Sequence, residues 1–170
     1  MTFKELVKER YSCRKFLNKE VENEKIKALL DVVHLAPTAE NKQPLRVWVI
    51  RNEERLQDLK QITHYHYNAP LTIAIGYVED EAWVRKSDQM NSGITDASIA
   101  ATTLWFEAQE LGLGCVWVSA FDTEKQKEIF PEMKDCEIVA FMQLGYPDTT
   151  GTKAKWHYQK RERSEMFFEL

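Results

Sequence analysis

The feature that most constrains the fold is a long run of apolar and small residues from Asn91 to Leu111. Apolar positions recur there with the spacing of one helix face through about five turns. Alanines at 97, 100, 101 and 108 permit another element to approach closely. This face must be covered, either by a helix of another subunit or by a sheet of the same chain. Gly112 and Gly114 supply the backbone freedom to end the helix.

The remaining elements alternate between helical and extended patterns. Thr2 and Glu5 form a capping box that predicts a first helix, and Asp122 or Thr123 begins a short helix that ends at Phe130-Pro131. Helices are also predicted over 21–35 and 53–62, and strands over 47–50, 71–77, 115–119 and 136–144. This alternation leaves a parallel α/β sheet open.

Composition limits the class of protein. The 170 residues fit one domain, and a net charge of −4 argues against nucleic acid as a partner. Three widely spaced cysteines predict buried thiols in a reducing compartment. No signal peptide and no apolar run of membrane-spanning length are evident, so we expect a cytoplasmic protein that needs no membrane.

The segment Arg10-Tyr11-Ser12-Cys13-Arg14 carries two guanidinium groups and a hydroxyl at alternate positions. In an extended segment, residues two apart share a face, and two planar donors with one O–H suit a phosphate monoester. The segment taken alone favours a solvated basic turn, and only the rest of the chain reverses that preference.

Two further segments carry candidate ligand-binding residues. His64-Tyr65-His66-Tyr67-Asn68 holds two histidines, but no third or fourth metal ligand is evident, so a structural role or a role at the edge of a ligand site is favoured and no metal site is predicted. The charged segment 79–90, with Trp83, is predicted to be a mobile flap or an exposed helical turn.

Three segments together resemble the nitroreductase family of flavin-dependent oxidoreductases. The first is Arg10-Tyr-Ser-Cys-Arg-Lys-Phe16. The second is Leu35-Ala-Pro-Thr-Ala-Glu-Asn-Lys-Gln-Pro44, where Leu45 replaces the usual Trp. The third is Leu111-Gly-Leu-Gly-Cys-Val-Trp-Val-Ser-Ala-Phe-Asp122, followed by Pro131 and Leu144-Gly-Tyr-Pro147. The matches follow the family's order and spacing from residue 5 to 147.

The resemblance implies an α+β sandwich around a mostly antiparallel sheet. It also implies that residues 1–170 form one FMN-binding domain of an intertwined homodimer. The helix over 91–111 would lie in the dimer interface, and the tail over 149–170 would extend onto the partner. Two FMN molecules would bind at the interface between the subunits.

The resemblance also assigns cofactor-binding residues. Arg10, Tyr11, Ser12 and Arg14 would bind the FMN phosphate, joined by Arg161 and Arg163, with Lys160 as a substitute. The loop of the partner subunit would contribute Pro37, Thr38, Ala39, Asn41 and Gln43. The isoalloxazine edge would lie along Trp117, Val118, Ser119 and Ala120, where backbone N–H groups face N5 and O4.

The implied activity is hydride transfer from NADH or NADPH through flavin N5 to an electron-poor acceptor. Nitroaromatics, quinones and free flavins fit, and one shared open face predicts ping-pong kinetics. No catalytic side chain is predicted; His64, Asn68 and Trp83 are candidates for acceptor contact. The alternatives are a non-catalytic flavin sensor or carrier and a flavin-dependent desaturase or flavin-modifying enzyme. Asp96 is interpreted as structural, with an arginine as its suggested partner.

Overall fold

The computed structural model describes all residues from 1 to 170 and contains five α-helices and four β-strands. The helices are α1 (Phe3–Glu9), α2 (Asn23–His34), α3 (Glu53–Ile62), α4 (Gly93–Glu110) and α5 (Thr123–Ile129). The strands are β1 (Leu45–Ile50), β2 (Leu71–Tyr77), β3 (Gly114–Val118) and β4 (Glu137–Gly145). Short 3₁₀ turns lie at 39–41, 79–81, 131–133, 155–158 and 163–165.

The four strands form one antiparallel sheet in the order β1-β2-β4-β3. Strands β1 and β3 are therefore the two edges, and the parallel α/β arrangement that the alternating pattern left open is excluded. Leu45 of β1 pairs with Tyr77 of β2 at one end of the sheet. At the other end, Leu144 of β4 pairs with both Leu71 and Cys115. The fold class is α+β, as the family resemblance implied.

Helices cover both faces of the sheet. The larger core lies where α2 and α4 pack on one face, and the smaller core lies on the face that carries α3 and α5. Strand residues alternate between these two cores, as the pleat requires. In β4, for example, Met142 belongs to the larger core and Phe141 to the smaller one.

The small residues of α4 are covered within the chain. Ala97, Ala100, Ala101 and Ala108 are fully buried in the core that α2, α4 and the sheet share. The choice between a partner helix and a sheet is thereby decided for these four alanines, which pack inside their own subunit. Apolar side chains on the remaining surface of α4, led by Ile94 at 60% exposure, stay uncovered.

Local signals place the ends of several elements. The Thr2–Glu5 capping box is present, Asn52 caps α3, and Asp122 caps α5. Gly112 follows α4 with φ of 73°, a left-handed conformation that glycine adopts without steric cost. No helix is both long and apolar enough to cross a membrane.

The segment 79–90 is a closed loop, and only 79–81 form a helical (3₁₀) turn. Val84 bridges to Asn91, and the Arg85 N–H donates to the Met90 carbonyl at 2.9 Å. Arg85 also forms a two-bond ion pair with Asp88. The expected exposed turn of helix is therefore present at 79–81, and the rest of the segment is a loop closed by hydrogen bonds.

Candidate functional site

The N-terminal segment lies along the edge of the sheet next to β3. Ser12 forms a parallel bridge with Cys115, and the Cys13 N–H donates to the Cys115 carbonyl at 3.0 Å. The Cys13 side chain is buried, whereas Ser12 is half-buried and Arg14 is exposed. Gly114 makes this approach possible, because a Cβ there would lie only 2.6 Å from the Cys13 sulfur. The segment predicted as a phosphate receptor is thus held rigidly against β3.

Arg10 is a half-buried cation without an acidic partner. Its guanidinium lies 4.4 Å from the ring centroid of Trp105 on α4, which is a cation–π contact. No carboxylate pairs with it, and burial lowers the pKa of its guanidinium. An unpaired cation that is partly removed from water is a favourable place for an anion. A merely solvated basic turn does not explain this arrangement.

Ser12 and Arg14 extend the same surface. Arg14 Nη1 donates to the Ser12 carbonyl at 3.2 Å, its only hydrogen bond, so its other N–H groups remain free. Tyr11 lies between Arg10 and Ser12 in the chain. Burial and the neighbouring Cys13 raise its pKa to about 12. Tyr11 therefore stays a neutral phenol, and Arg10 and Arg14 set the charge of the segment.

The basic residues of the tail differ in their surroundings within one chain. Lys153 donates to Glu9 Oε2 at 3.0 Å and lies 5.5 Å from the Tyr11 ring, beside the N-terminal segment. Arg161 and Arg163 are exposed and form no ion pair with any residue; the Arg163 guanidinium lies over Phe167 of its own turn. Within one chain, Lys153 is therefore the tail cation next to the segment 10–14.

The end of β3 is fixed by two hydrogen-bond chains. Trp117 Nε1 donates to Ser119 Oγ at 2.6 Å, and that hydroxyl donates to the Val139 carbonyl at 2.8 Å. From the other side, Thr63 Oγ1 donates to the Ala120 carbonyl at 2.7 Å. Trp117 is half-buried beside the larger core, Val118 is buried in the smaller one, and Ser119 and Ala120 are exposed. The strand end is both rigid and accessible.

Residues 37–43 form a turn with an unusual backbone. Glu40, Asn41 and Gln43 have φ of 49°, 55° and 53°, a region that residues with side chains seldom adopt. Thr38 Oγ1 accepts from the Gln43 N–H at 3.0 Å, and Asp96 Oδ1 accepts from the Ala39 N–H at 3.0 Å. Asp96 thus has a structural role as expected, but its partners are Ala39 and Ser92, and no arginine pairs with it.

The strand register of the sheet places this turn far from the segment 10–14 of the same chain. The turn leads into Leu45 at one end of edge strand β1, whereas Ser12 joins edge strand β3 at the opposite end of the sheet. From Leu45 to Ser12, four strand spacings across the sheet and six residue steps along it amount to about 28 Å. Pro37, Asn41 and Gln43 are exposed there, and Thr38 and Ala39 are half-buried.

The connector 64–68 lies beside the end of β3. His64 and Ala120 line one cleft of about 280 Å³. His66 Nδ1 accepts from the Asn68 N–H at 3.1 Å, and burial lowers the pKa of this imidazole. Trp83 lies in the loop that follows β2 and does not line this cleft. No group of three or more His, Cys, Asp or Glu side chains is placed to hold a metal ion.

The sequence did not predict a role at this site for three residues. Trp105 fits the apolar face of α4, Thr63 follows a helix end, and Lys153 is one of several tail cations. No pattern in the sequence distinguishes them. Each becomes notable only through its tertiary neighbours Arg10, Ala120 and Glu9.

Comparison with known proteins gives a consistent result. The family model described as "Nitroreductase family" matches residues 7–67 and 62–146. A nitroreductase family protein from Clostridium difficile 630 has a similar crystal structure, with 34% sequence identity, a TM-score of 0.92 and coverage of 99% of this chain and 98% of that one.

More distant relatives add names and one ligand. A protein of Methanothermobacter thermautotrophicus, provisionally named NADH dehydrogenase/NAD(P)H nitroreductase, is 29% identical over 88% of this chain and 80% of its own length. A protein of Desulfovibrio desulfuricans, provisionally named a nitroreductase, was solved in complex with FMN. It shares this fold at 22% identity and a TM-score of 0.80, over 98% of this chain and 95% of that one.

Proposed function

The chain belongs to the nitroreductase family, and on that basis we propose that it is an FMN-dependent oxidoreductase that uses NADH or NADPH to reduce electron-poor acceptors. The observation that carries the proposal is Arg10, a partly desolvated cation with no acidic partner. It stands beside Ser12 and Arg14 on a segment fixed to the sheet edge.

The residues present fit FMN. A terminal phosphate carries a charge near −2 and several acceptor oxygens, which match two guanidinium groups and the Ser12 hydroxyl. Lys153 extends the positive field from the tail, in addition to the contribution proposed for Arg161 and Arg163, or for Lys160 in their place. In this proposal Lys153 exchanges part of its contact with Glu9 for the phosphate.

Bound FMN would supply the redox chemistry, namely hydride transfer between a nicotinamide and an acceptor. The chain contributes orientation and electrostatics. The Thr63 and Val139 contacts hold the strand end, so that the N–H groups of Ser119 and Ala120 are available as donors to the flavin edge. Trp117 forms one wall, and His64 borders the open side where an acceptor would enter.

We further propose that a second copy of the chain completes the site. If residues 37–43 contact the same flavin as the segment 10–14, the separation of about 28 Å within one chain favours a partner as the source of the turn. An uncovered apolar surface supports such a dimer. It forms a groove of about 720 Å³ between α1 and α4, lined among others by Phe3, Ile99 and Phe106.

The tail supports the same assembly. Every residue from 158 to 170 is exposed, including Phe167 and Phe168, the latter at 78%. Apolar side chains at a chain end are stable when another surface covers them. We propose that residues 1–170 form a single FMN-binding domain and that the tail over 149–170 reaches the partner subunit.

The decisive experiment is an absorption spectrum of the freshly purified protein, followed by identification of the released cofactor and an NAD(P)H oxidation assay. We expect near-stoichiometric FMN and acceptor-dependent oxidation. A colourless protein that FMN does not reconstitute would overturn the proposal. A flavoprotein that oxidises no nicotinamide with any acceptor would indicate a sensor or carrier.

A further inference from the structure

The only hydrogen bond that leaves residues 37–43 goes to Asp96. The other hydrogen bonds of this turn connect its own residues: the Asn41 N–H donates to the Thr38 carbonyl, the Lys42 N–H to the Ala39 carbonyl, the Gln43 N–H to Thr38 Oγ1, and Gln43 Nε2 to the Asn41 carbonyl. The single external contact is the Ala39 N–H donating to Asp96 Oδ1 at 3.0 Å. Between its two ends, which Ala36 and Pro44 hold, the turn is therefore hydrogen-bonded to the core through one side chain.

Asp96 occupies an unusual position for a carboxylate. It is 2% exposed, lies in the first turn of α4, and has no lysine or arginine partner. Its second oxygen accepts from Ser92 Oγ at 2.8 Å. Burying a charge without a counter-ion is costly, although the N-terminal turn of a helix offsets part of that cost. An apolar residue would fill this position more cheaply if packing alone were required.

The turn itself needs an external restraint. Three residues with side chains adopt positive φ within four positions, and such backbone persists only where its surroundings hold it. The same turn exposes Asn41 and Gln43. An anchor at Ala39 holds their polar groups in one fixed arrangement, which lowers the entropy lost when a ligand binds.

We propose that Asp96 is a positioning residue for the cofactor site: by holding the Ala39 N–H, it fixes the 37–43 turn in the form that completes the flavin site of the partner subunit. This inference rests on the proposed function. It assigns to Asp96 no contact with the cofactor and no proton transfer.

Three variants test the role. Asp96→Ala removes the anchor and is expected to raise the FMN dissociation constant about tenfold or more. Asp96→Asn is the rescue, because its Oδ1 accepts from Ala39 and its amide donates to Ser92, so affinity should return to within about threefold of wild type. Ser92→Ala is the matched control, since it removes a bond from the same carboxylate but leaves the turn anchored. Equal losses in Ser92→Ala and Asp96→Ala would overturn the proposal.

Hydrogen exchange provides a readout that needs no cofactor. In the apo protein, the Ala39 amide should exchange faster in Asp96→Ala than in wild type and regain protection in Asp96→Asn. Unchanged exchange in Asp96→Ala would refute the anchor whatever the FMN result. A wild-type protein that binds no FMN would instead refute the proposed function and the cofactor role, while the exchange data still decide the anchor.

A mixed dimer tests whether Asp96 acts across the interface. Co-expression of Arg10→Ala and Asp96→Ala chains with two different tags yields a heterodimer. If the turn serves the partner, both lesions fall in one site and the other site stays intact, with wild-type FMN affinity. If no site of wild-type affinity is found, Asp96 does not act on the partner's site.

Discussion

Replacing Arg10 by alanine should weaken FMN binding far more than it weakens the fold. Within the chain Arg10 contributes a cation–π contact with Trp105 and forms no ion pair. An exposed or half-exposed contact of this kind is worth about 0.5–1 kcal/mol. A charge-assisted bond to phosphate is worth about 1.5–3 kcal/mol. The FMN dissociation constant should therefore rise by about ten- to a hundredfold.

Arg55 provides the matched control. Its guanidinium also lies 4.4 Å from an aromatic ring centroid, that of Phe130, but it pairs with Asp58 and Glu132. Arg55→Ala should therefore lower the free energy of unfolding, by about 1–3 kcal/mol, and leave FMN affinity unchanged.

The assay measures two quantities for each variant. Quenching of flavin fluorescence during titration gives the FMN dissociation constant, and urea unfolding of the apo protein gives stability. The expected result is a crossed pattern, in which Arg10→Ala loses affinity and Arg55→Ala loses stability. If Arg10→Ala binds FMN within about threefold of wild type, Arg10 is not a phosphate ligand. If it loses as much stability as Arg55→Ala, its role is structural.

Three other predictions follow from the structure. Burial, and after it the charges of Lys60 and His64, lower the pKa of His66, so the unfolded chain takes up a proton at a higher pH than the folded protein does. The free energy of unfolding should therefore fall as the pH drops through about 6.5, and it should fall less in His66→Gln. Urea unfolding at several pH values measures this. Ile94→Glu should disrupt the proposed dimer, which sedimentation measures against a wild-type dimer that persists on dilution; a wild-type monomer that retains FMN would contradict the shared site. Steady-state turnover with a quinone or nitroaromatic should give parallel double-reciprocal lines, whereas intersecting lines would mean that donor and acceptor bind together.

Local signals in the sequence determined most of the elements. The capping box, the periodicity of α3 and the glycine after α4 each depend on contacts between residues close in the chain. For this reason helix 53–62 and strand 71–77 were predicted with their observed bounds. The family could also be recognised from the sequence, because each of its three segments is a continuous stretch of the chain.

The pairing and order of the strands could not be predicted from the sequence in the same way. A run such as 137–145 is apolar in a parallel or an antiparallel sheet, and only hydrogen bonding between distant segments decides the order β1-β2-β4-β3. The segment 79–90 shows the same limit. Its charged composition correctly suggested exposure, but the Val84–Asn91 bridge that closes it was not predicted from the sequence.

For the site, the sequence by itself determined which residue types were available, namely two arginines flanking a serine and a polar turn between two prolines. Tertiary structure alone decided their surroundings. Folding brings the Arg10 guanidinium over the Trp105 ring and the Ala39 N–H to Asp96 Oδ1. It also places the segment 10–14 and the turn 37–43 at opposite corners of the sheet. The physical reason is that charge, burial and distance depend on neighbours brought together by folding, and those neighbours lie 57 or more positions away in the chain.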